Sequence, residues 1–182
     1  MRRLTWLICG STLILLFARP IQSQILRYRD CTVDAEIWML PQCALVTIGG
    51  HLYVSHRYLK LLFANSNEDL AARRLPEHGW AYFDRSGLVR VQNVAPMDNW
   101  ASEFHAGLVR VVRNGKWGLA DKRGRLITPL DYDGMYEFDV AHKGWKVCRS
   151  CCVVTGGEHS WFEGGEWFWL DRHGRLAGRA IR

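Results

Sequence analysis

One stretch decides the fold, GLVRVVRNGKWGLADKRG at residues 107–124. Its first seven residues alternate over several positions as a strand does, and Asn114-Gly115 joins them to a second apolar stretch that contains Trp117. Asn-Gly between two such stretches is the strongest short-range signal of a β-hairpin. Asp121-Lys122-Arg123-Gly124 then predicts a tight turn, in which the Asp side chain accepts a backbone N–H and Gly takes a positive φ. A further strand is expected at residues 125–128.

The same pattern occurs three times along the chain. Each copy reads Trp, three residues, Asp, two residues, Gly, and the tryptophans are 37 and 50 positions apart. The residues that define the copies are Trp80, Asp84 and Gly87, then Trp117, Gly118, Asp121 and Gly124, then Trp167, Asp171 and Gly174. Such self-similarity predicts a repeat architecture of short antiparallel strands. An Asp that recurs in every copy is expected to be a turn residue, since a catalytic residue needs no three copies.

The copies differ in their connections. Strands are expected after the flanking turns, at residues 88–91 and 175–177, and before the third tryptophan, at residues 144–149. In the third copy the two-residue hairpin turn is replaced by a long insertion, Ser150 to Gly165.

The central copy resembles the WG-repeat family, a group of bacterial repeats named for a Trp-Gly pair. The residues that carry the resemblance are Phe104, Gly107, Leu108, Val109, Val111, Asn114, Gly115, Lys116, Trp117, Gly118, Asp121, Gly124, Ile127, Pro129, Tyr132 and Asp133. The flanking copies depart from the pattern, because Ala81 follows Trp80 and Phe168 follows Trp167. The resemblance implies a β-rich repeat or interaction module of an envelope or secreted protein, and it carries no catalytic residue to this chain.

The segment from residue 24 to 77 lies outside the clear repeats. Gly49-Gly50 between residues 44–48 and 51–54 predicts a hairpin, and residues 33–39 are a possible further strand. Ser55 is a candidate N-cap for a short helix, and residues 67–74 are expected to hold one or two more helical turns. The expected fold is therefore mainly β, an array of short antiparallel β-meander or hairpin repeats at residues 78–182 with a small α+β N-terminal cap, because the terminal unit of a stack must close its edge.

Residues 1–23 have the pattern of a signal peptide. A basic start at Arg2-Arg3 precedes 15 apolar or small residues, which are too few for an ordinary membrane span of about 20. The chain is therefore expected to be exported, periplasmic or secreted, and membrane-bound only if this segment stays uncleaved. Without it the formal net charge falls from +6 to +3, because it contains three arginines and no acid. This balance gives no reason to expect a nucleic-acid partner.

Five cysteines follow residue 23: Cys31, Cys43, Cys148, Cys151 and Cys152. An oxidising compartment favours disulfides, and the odd number leaves at least one thiol over. We expect a Cys31–Cys43 bridge, and a second between Cys148 and either Cys151 or Cys152. Residues three apart in a straight strand lie about 10 Å from each other, so a Cys148–Cys151 bridge requires a turn or bulge at Arg149-Ser150.

Two functional hypotheses follow from these patterns. The first is a non-enzymatic repeat scaffold or binding module, without a cofactor, whose ligand is another protein or an anionic envelope component. The alternative is a thiol-active or metal-binding protein that uses Cys148, Cys151 and Cys152. No His-x-x-x-His pair and no nucleophile elbow occurs in the sequence.

Overall fold

The computed structural model describes residues 33, 38–64 and 66–180, and the protein is mainly β as the sequence predicts. The predicted signal peptide, Cys31 and most of the possible strand at residues 33–39 lie outside the described residues. The described residues contain one α-helix and several antiparallel sheets.

The cap consists of a hairpin and a helix. A 3-10 turn, Gln42–Ala44, leads into strands β1 (Leu45–Ile48) and β2 (His51–Val54), and helix α1 (His56–Leu62) follows. The Gly-Gly turn predicted from the sequence is therefore confirmed, since both glycines have positive φ. Ser55 occupies the N-cap position of α1, although its side chain makes no capping hydrogen bond.

The first sheet runs in the order β3-β4-β5-β8-β9. Its strands are β3 (Leu70–Leu75), β4 (Gly79–Asp84), β5 (Val89–Val94), β8 (Leu108–Arg113) and β9 (Lys116–Asp121). A small hairpin of β6 (Pro96–Met97) and β7 (Trp100–Ala101) lies between β5 and β8. The second sheet runs in the order β10-β11-β12-β13, with β10 (Gly134–Asp139), β11 (Gly144–Gly156), β12 (His159–Asp171) and β13 (Leu176–Arg179).

Two sequence expectations are wrong. The first concerns residues 67–74, where strand β3 replaces the predicted helical turns because it pairs along its whole length with β4. As a result the sheet of the repeat region begins at Leu70, and the boundary predicted between residues 77 and 78 falls within the β3–β4 turn.

The second wrong expectation is a strand at residues 125–128. Only Leu126 forms a bridge, to Ala120. The Thr128 hydroxyl accepts the backbone N–H of Leu119 at 2.7 Å. In a regular sheet this N–H would be bonded to a backbone carbonyl of the neighbouring strand. Pro129 follows and cannot donate to a ladder. The chain therefore crosses β9 as an irregular segment.

The insertion at residues 150–165 belongs to the second sheet. It lengthens β11 and β12 into a hairpin arm whose register continues from Gly144–Asp171 to Gly156–His159. We call the part from Cys151 to Gly164 the arm.

The core divides into layers between successive units. One apolar cluster joins α1 and the cap to one face of β4, through Phe83 and Ala81. A second joins the other face of β4, with Trp80 and Tyr82, to Val109 and Val111 of β8. A third joins Leu108 of β8 and Leu119 of β9 to the second sheet. The units are therefore stacked, since each repeat buries one face on the preceding unit and the other on the next.

Candidate functional site: a tryptophan groove

The three predicted repeat turns have the same hydrogen bonds. The Oδ1 atom of Asp121 accepts the backbone N–H groups of Arg123 at 2.9 Å and Arg125 at 3.0 Å. The equivalent bonds reach Oδ1 of Asp84 from Ser86 and Leu88, at 2.8 and 3.2 Å, and Oδ1 of Asp171 from His173 and Arg175, at 2.8 and 2.9 Å. All three carboxylates thus stabilise turns, as their recurrence predicts.

The charge of these carboxylates is stabilised by the same contacts. Burial alone would raise the pKa of Asp121, but hydrogen bonds from Arg125 and Arg123 outweigh it and hold the pKa below its ordinary value. For Asp84, hydrogen bonds from Ser86 and Arg90 likewise overcome the effect of burial and lower the pKa. The backbone N–H of Arg175 is the main cause of the lowered pKa of Asp171.

The glycine of each turn lies against the unit that precedes it. Gly87, Gly124 and Gly174 all have positive φ. A Cβ on Gly87 would collide with the carbonyl oxygen of Val54 in the cap, and one on Gly124 with the carbonyl oxygen of Arg90 in the first repeat. A Cβ on Gly174 would approach Ile127 and Thr128 of the second repeat at 3.2 Å. These glycines therefore permit both the turn and the stacking of units.

Gly118 has a different reason to be glycine. A Cβ at this position would lie 2.9 Å from the carbonyl oxygen of Pro129 and 3.2 Å from that of Thr128, because the irregular segment crosses directly over β9. The Trp-Gly pair of the central copy therefore marks the point at which the chain crosses its own strand.

The three repeat tryptophans do not meet at one site. Trp80 is buried between the first and second repeats, and Trp167 is buried beside Cys148 in the second sheet. Trp117 is only half-buried; its ring meets Phe162 edge-to-face at 5.7 Å, and the Arg110 guanidinium lies over it at 5.4 Å. Trp117 therefore contributes only part of its surface to the core.

The cysteine cluster contains one bridge. Cys148 and Cys151 form a disulfide with their Cα atoms 6.0 Å apart, and Ser150 between them has a φ of 56°. The left-handed residue supplies the bend that a bridge between strand residues three apart requires. Cys152 is an exposed free thiol, while the predicted Cys31–Cys43 bridge involves a residue outside the described ones. Within residues 38–64 and 66–180, no three His, Cys, Asp or Glu side chains are grouped as metal ligands.

A groove that we call the tryptophan groove has Trp38, Trp80 and Trp100 at its base and walls. The ring of Trp80 lies 6.2 Å from that of Trp38 and 5.1 Å from that of Trp100, measured between centroids. Trp80 is buried, whereas 45% of Trp38 and 41% of Trp100 is exposed. Three adjoining indoles thus form an apolar surface that solvent reaches.

Polar side chains line the same groove. Arg74 lies with its guanidinium 5.7 Å from the Trp38 ring centroid, and Asn93, Asp98 and Asn99 also line the groove. Asn93 and Asp98 have φ values of 56° and 49°, a left-handed conformation that Asn and Asp tolerate better than most residues. The groove encloses about 850 Å³, within the range of about 300–1,000 Å³ that small-molecule sites occupy.

A buried hydrogen-bond network holds one wall of the groove. Arg110 donates to the carbonyl oxygens of Met135 at 2.8 Å and Pro96 at 3.3 Å, to the Ser102 hydroxyl at 2.8 Å, and to Glu137. Burial lowers the pKa of Arg110 to about 10, so the guanidinium remains charged at neutral pH. Pro96 is the first residue of the β6–β7 hairpin and Ser102 follows its last, and Arg110 therefore fixes the hairpin that carries Trp100 to the rest of the fold.

A second buried contact acts on the same hairpin. The Tyr82 hydroxyl donates to the carbonyl oxygen of Ser102 at 2.9 Å, and burial followed by the charge of Glu103 raises the pKa of Tyr82 to about 12. The phenol is therefore a permanent donor over the physiological pH range. Together the two contacts hold the hairpin that carries Trp100 in place.

Sequence reasoning missed this groove. Of its aromatic residues it identified Trp80 alone, as a repeat residue. Two features of the sequence point to these residues. Trp38 and Trp100 fall outside the repeat pattern, and Trp100 directly follows Pro96-Met97-Asp98-Asn99, a short segment that combines apolar and turn-forming residues.

No family model, curated protein or solved structure matches this chain. None of the helices in the described part of the chain has the length and apolar character needed to cross a membrane.

Proposed function

We propose that this chain is an exported, non-enzymatic binding module of the WG-repeat type, and that the tryptophan groove holds its ligand, a component of the cell envelope. The observation that carries the proposal is the exposure of Trp38 and Trp100 on either side of buried Trp80, in a groove with polar groups on its walls. Sites for small ligands combine a mainly apolar lining with a few placed polar groups.

The stacked repeats support this proposal as a scaffold. Trp38 comes from the cap, Trp80 from β4 and Trp100 from the β6–β7 hairpin, and the glycine turns fix the cap to the first repeat and that repeat to the second. A site that is already rigid loses less conformational entropy when a ligand binds, and this favours binding. The formal charge and Arg74 are compatible with an anionic envelope component.

Co-sedimentation with envelope material from the producing cells tests this function. Trp100→Ala is expected to reduce the amount of mature protein that sediments, because it removes an exposed wall of the groove. Trp161→Ala is the matched control, since Trp161 is 38% exposed but lies on the arm. If the wild type, Trp100→Ala and Trp161→Ala sediment in equal amounts, the groove is not the binding site.

A second candidate function is thiol chemistry on the arm, favoured by the exposed Cys152 thiol next to the Cys148–Cys151 bridge. Two of the three sulfurs are already joined, so this candidate depends on exchange with the bridge rather than on a three-thiol metal site. Alkylation of Cys152 separates the two functions, because it would abolish thiol activity and leave binding in the groove intact.

A further inference from the structure

We infer that the ligand of the tryptophan groove is a saccharide, with pyranose rings lying against Trp38 and Trp100. This inference deepens the proposed function and rests on it. A pyranose has an apolar face of C–H groups and an edge of hydroxyl groups, so it requires a flat apolar surface with hydrogen-bonding groups beside it. The groove places both kinds of group together.

The aromatic surfaces have the arrangement that stacking requires. Trp38 and Trp100 contact the same central ring, Trp80, with interplanar angles of 37° and 49°. Trp80 fills the space beneath them and is buried, so the outer rings keep exposed surface without being free to collapse on each other. An indole packed in this way presents a large rigid area at little conformational cost.

The polar groups match hydroxyl recognition. The two carboxamides of Asn93 and Asn99 each supply donors and an acceptor, the Asp98 carboxylate accepts, and the Arg74 guanidinium donates. Donors and acceptors are thus both present, as a sugar hydroxyl needs, because it acts as both. Arg74 can equally donate to a carboxylate of an acidic sugar.

Other ligands of aromatic grooves fit less well. Single-stranded nucleic acid stacks on aromatic rings but requires a continuous positive track for its phosphates. The groove offers two guanidinium groups, Arg74 over Trp38 and Arg73 over Trp100, beside the Asp98 carboxylate, and these do not make such a track. A proline-rich peptide also docks on aromatic side chains. It presents few hydrogen-bonding groups, however, and would leave the polar lining largely unused.

Calorimetric titration of the mature protein tests the inference with three kinds of ligand. The probes are neutral hexasaccharides of glucose and N-acetylglucosamine, an oligogalacturonate as acidic saccharide, and a proline-rich decapeptide. We expect the neutral saccharides, the acidic saccharide or both to bind. Trp100→Ala should weaken binding by roughly ten- to a hundredfold, the range for removal of an aromatic stacking platform.

Two variants control for folding and for general effects of tryptophan loss. Trp100→Tyr retains a stacking ring and should restore most of the affinity, whereas Trp161→Ala should bind as the wild type does. If only the acidic saccharide binds, Arg74→Gln should abolish binding. If the neutral saccharides bind, the same variant should weaken binding only in part.

The inference is overturned if no saccharide binds, if Trp100→Ala and Trp161→Ala weaken binding equally, or if only the peptide binds. The proposed function is judged separately by co-sedimentation. Envelope binding that depends on Trp100 in the absence of saccharide binding would overturn the saccharide and leave the binding module in place.

Discussion

At each of the three repeat turns, the Asp and the Gly have separate roles. The carboxylate accepts two backbone N–H groups and so fixes the turn, while the glycine lets the turn approach the preceding unit. Both roles belong to single residues, and each can be tested without altering the other.

A comparison of Gly124 with Gly115 separates two costs of adding a side chain, the strain of a positive φ and the collision with a neighbouring unit. Both have positive φ, but a Cβ on Gly115 meets nothing within 4 Å, whereas one on Gly124 would collide with the Arg90 carbonyl oxygen. Gly115→Ala is expected to lower the free energy of unfolding by about 1–2 kcal/mol. Gly124→Ala should cost more, by about a further 1–3 kcal/mol for the enforced shift. Urea unfolding measures both, and equal losses would mean that the approach to Arg90 is not tight.

Stability in acid should depend on the turn carboxylates. In the folded protein the pKa of Asp121 lies below the value of about 3.9 that an unfolded chain has. The associated stability is therefore complete above the unfolded pKa and is lost as the pH falls through the folded pKa. Asp121→Asn keeps an acceptor oxygen but cannot ionise, so its stability deficit should shrink as the pH falls below the unfolded pKa and through the lower folded pKa. Unfolding curves at several pH values measure this, and a constant deficit would contradict it.

At the scale of elements, strands that close on short glycine turns could be predicted from the sequence. Gly49-Gly50 and Asn114-Gly115 specify the β1–β2 and β8–β9 hairpins locally, because both turns need positive φ. Strand β10, the β6–β7 hairpin and the true nature of residues 67–74 could not be predicted in this way. Their structure depends on partners far along the chain, as Leu70–Leu75 depends on β4.

The groove could not be predicted for the same reason. Trp38 and Trp80 are 42 positions apart, and Trp80 and Trp100 are 20 apart. Backbone hydrogen bonds join Trp38 and Leu40 to Arg74 in β3, and the cross-strand partner of Arg74 in β4 is Trp80. No local pattern in the sequence encodes that contact.

The depth of each tryptophan determines how much its element depends on it. Trp145 in β11 is fully buried, whereas Trp117 in β9 is half-buried. Trp145→Ala is expected to cost about 3–5 kcal/mol, and Trp117→Ala should cost less because part of its ring already contacts water. Thermal or urea unfolding shows which substitution lowers the free energy of unfolding more. A larger loss for Trp117→Ala would contradict this order and would mean that the second sheet packs closely on β9.

The arm offers a chemical test of its covalent structure. Cys152 is exposed and free, and should react with iodoacetamide in the native protein without reductant. Cys148 and Cys151 should stay unlabelled and appear in one bridged peptide. Peptide mapping reads both results. A bridge from Cys148 to Cys31 would instead join the cap to the second sheet.

At the scale of the whole molecule, Arg110 connects parts that are distant in sequence. It links β8 to the β6–β7 hairpin through Pro96 and to β10 through Met135 and Glu137. These contacts join the groove wall to the second sheet through one buried cation.

Arg110→Met removes these donors and retains most of the side-chain volume. It should lower the free energy of unfolding by about 1–3 kcal/mol for each buried acceptor that is left without a donor. Arg90→Met is the control, because Arg90 pairs with Asp84 at the surface and such pairs contribute about 0–1 kcal/mol. Denaturant unfolding compares the two, and similar losses would show that Arg110 is replaceable.

The direction in which the turn glycines point has a consequence for how the molecule is made. Gly87 rests on Val54, Gly124 on Arg90, and Gly174 on Ile127 and Thr128. In every case the supporting residues come earlier in the chain than the glycine. A ribosome releases the N-terminal end first, so the seat of each turn is synthesised before the turn that occupies it. Growth of the nascent polypeptide and assembly of the stack therefore proceed in the same order, and no unit has to wait for a later one to provide its turn with a support.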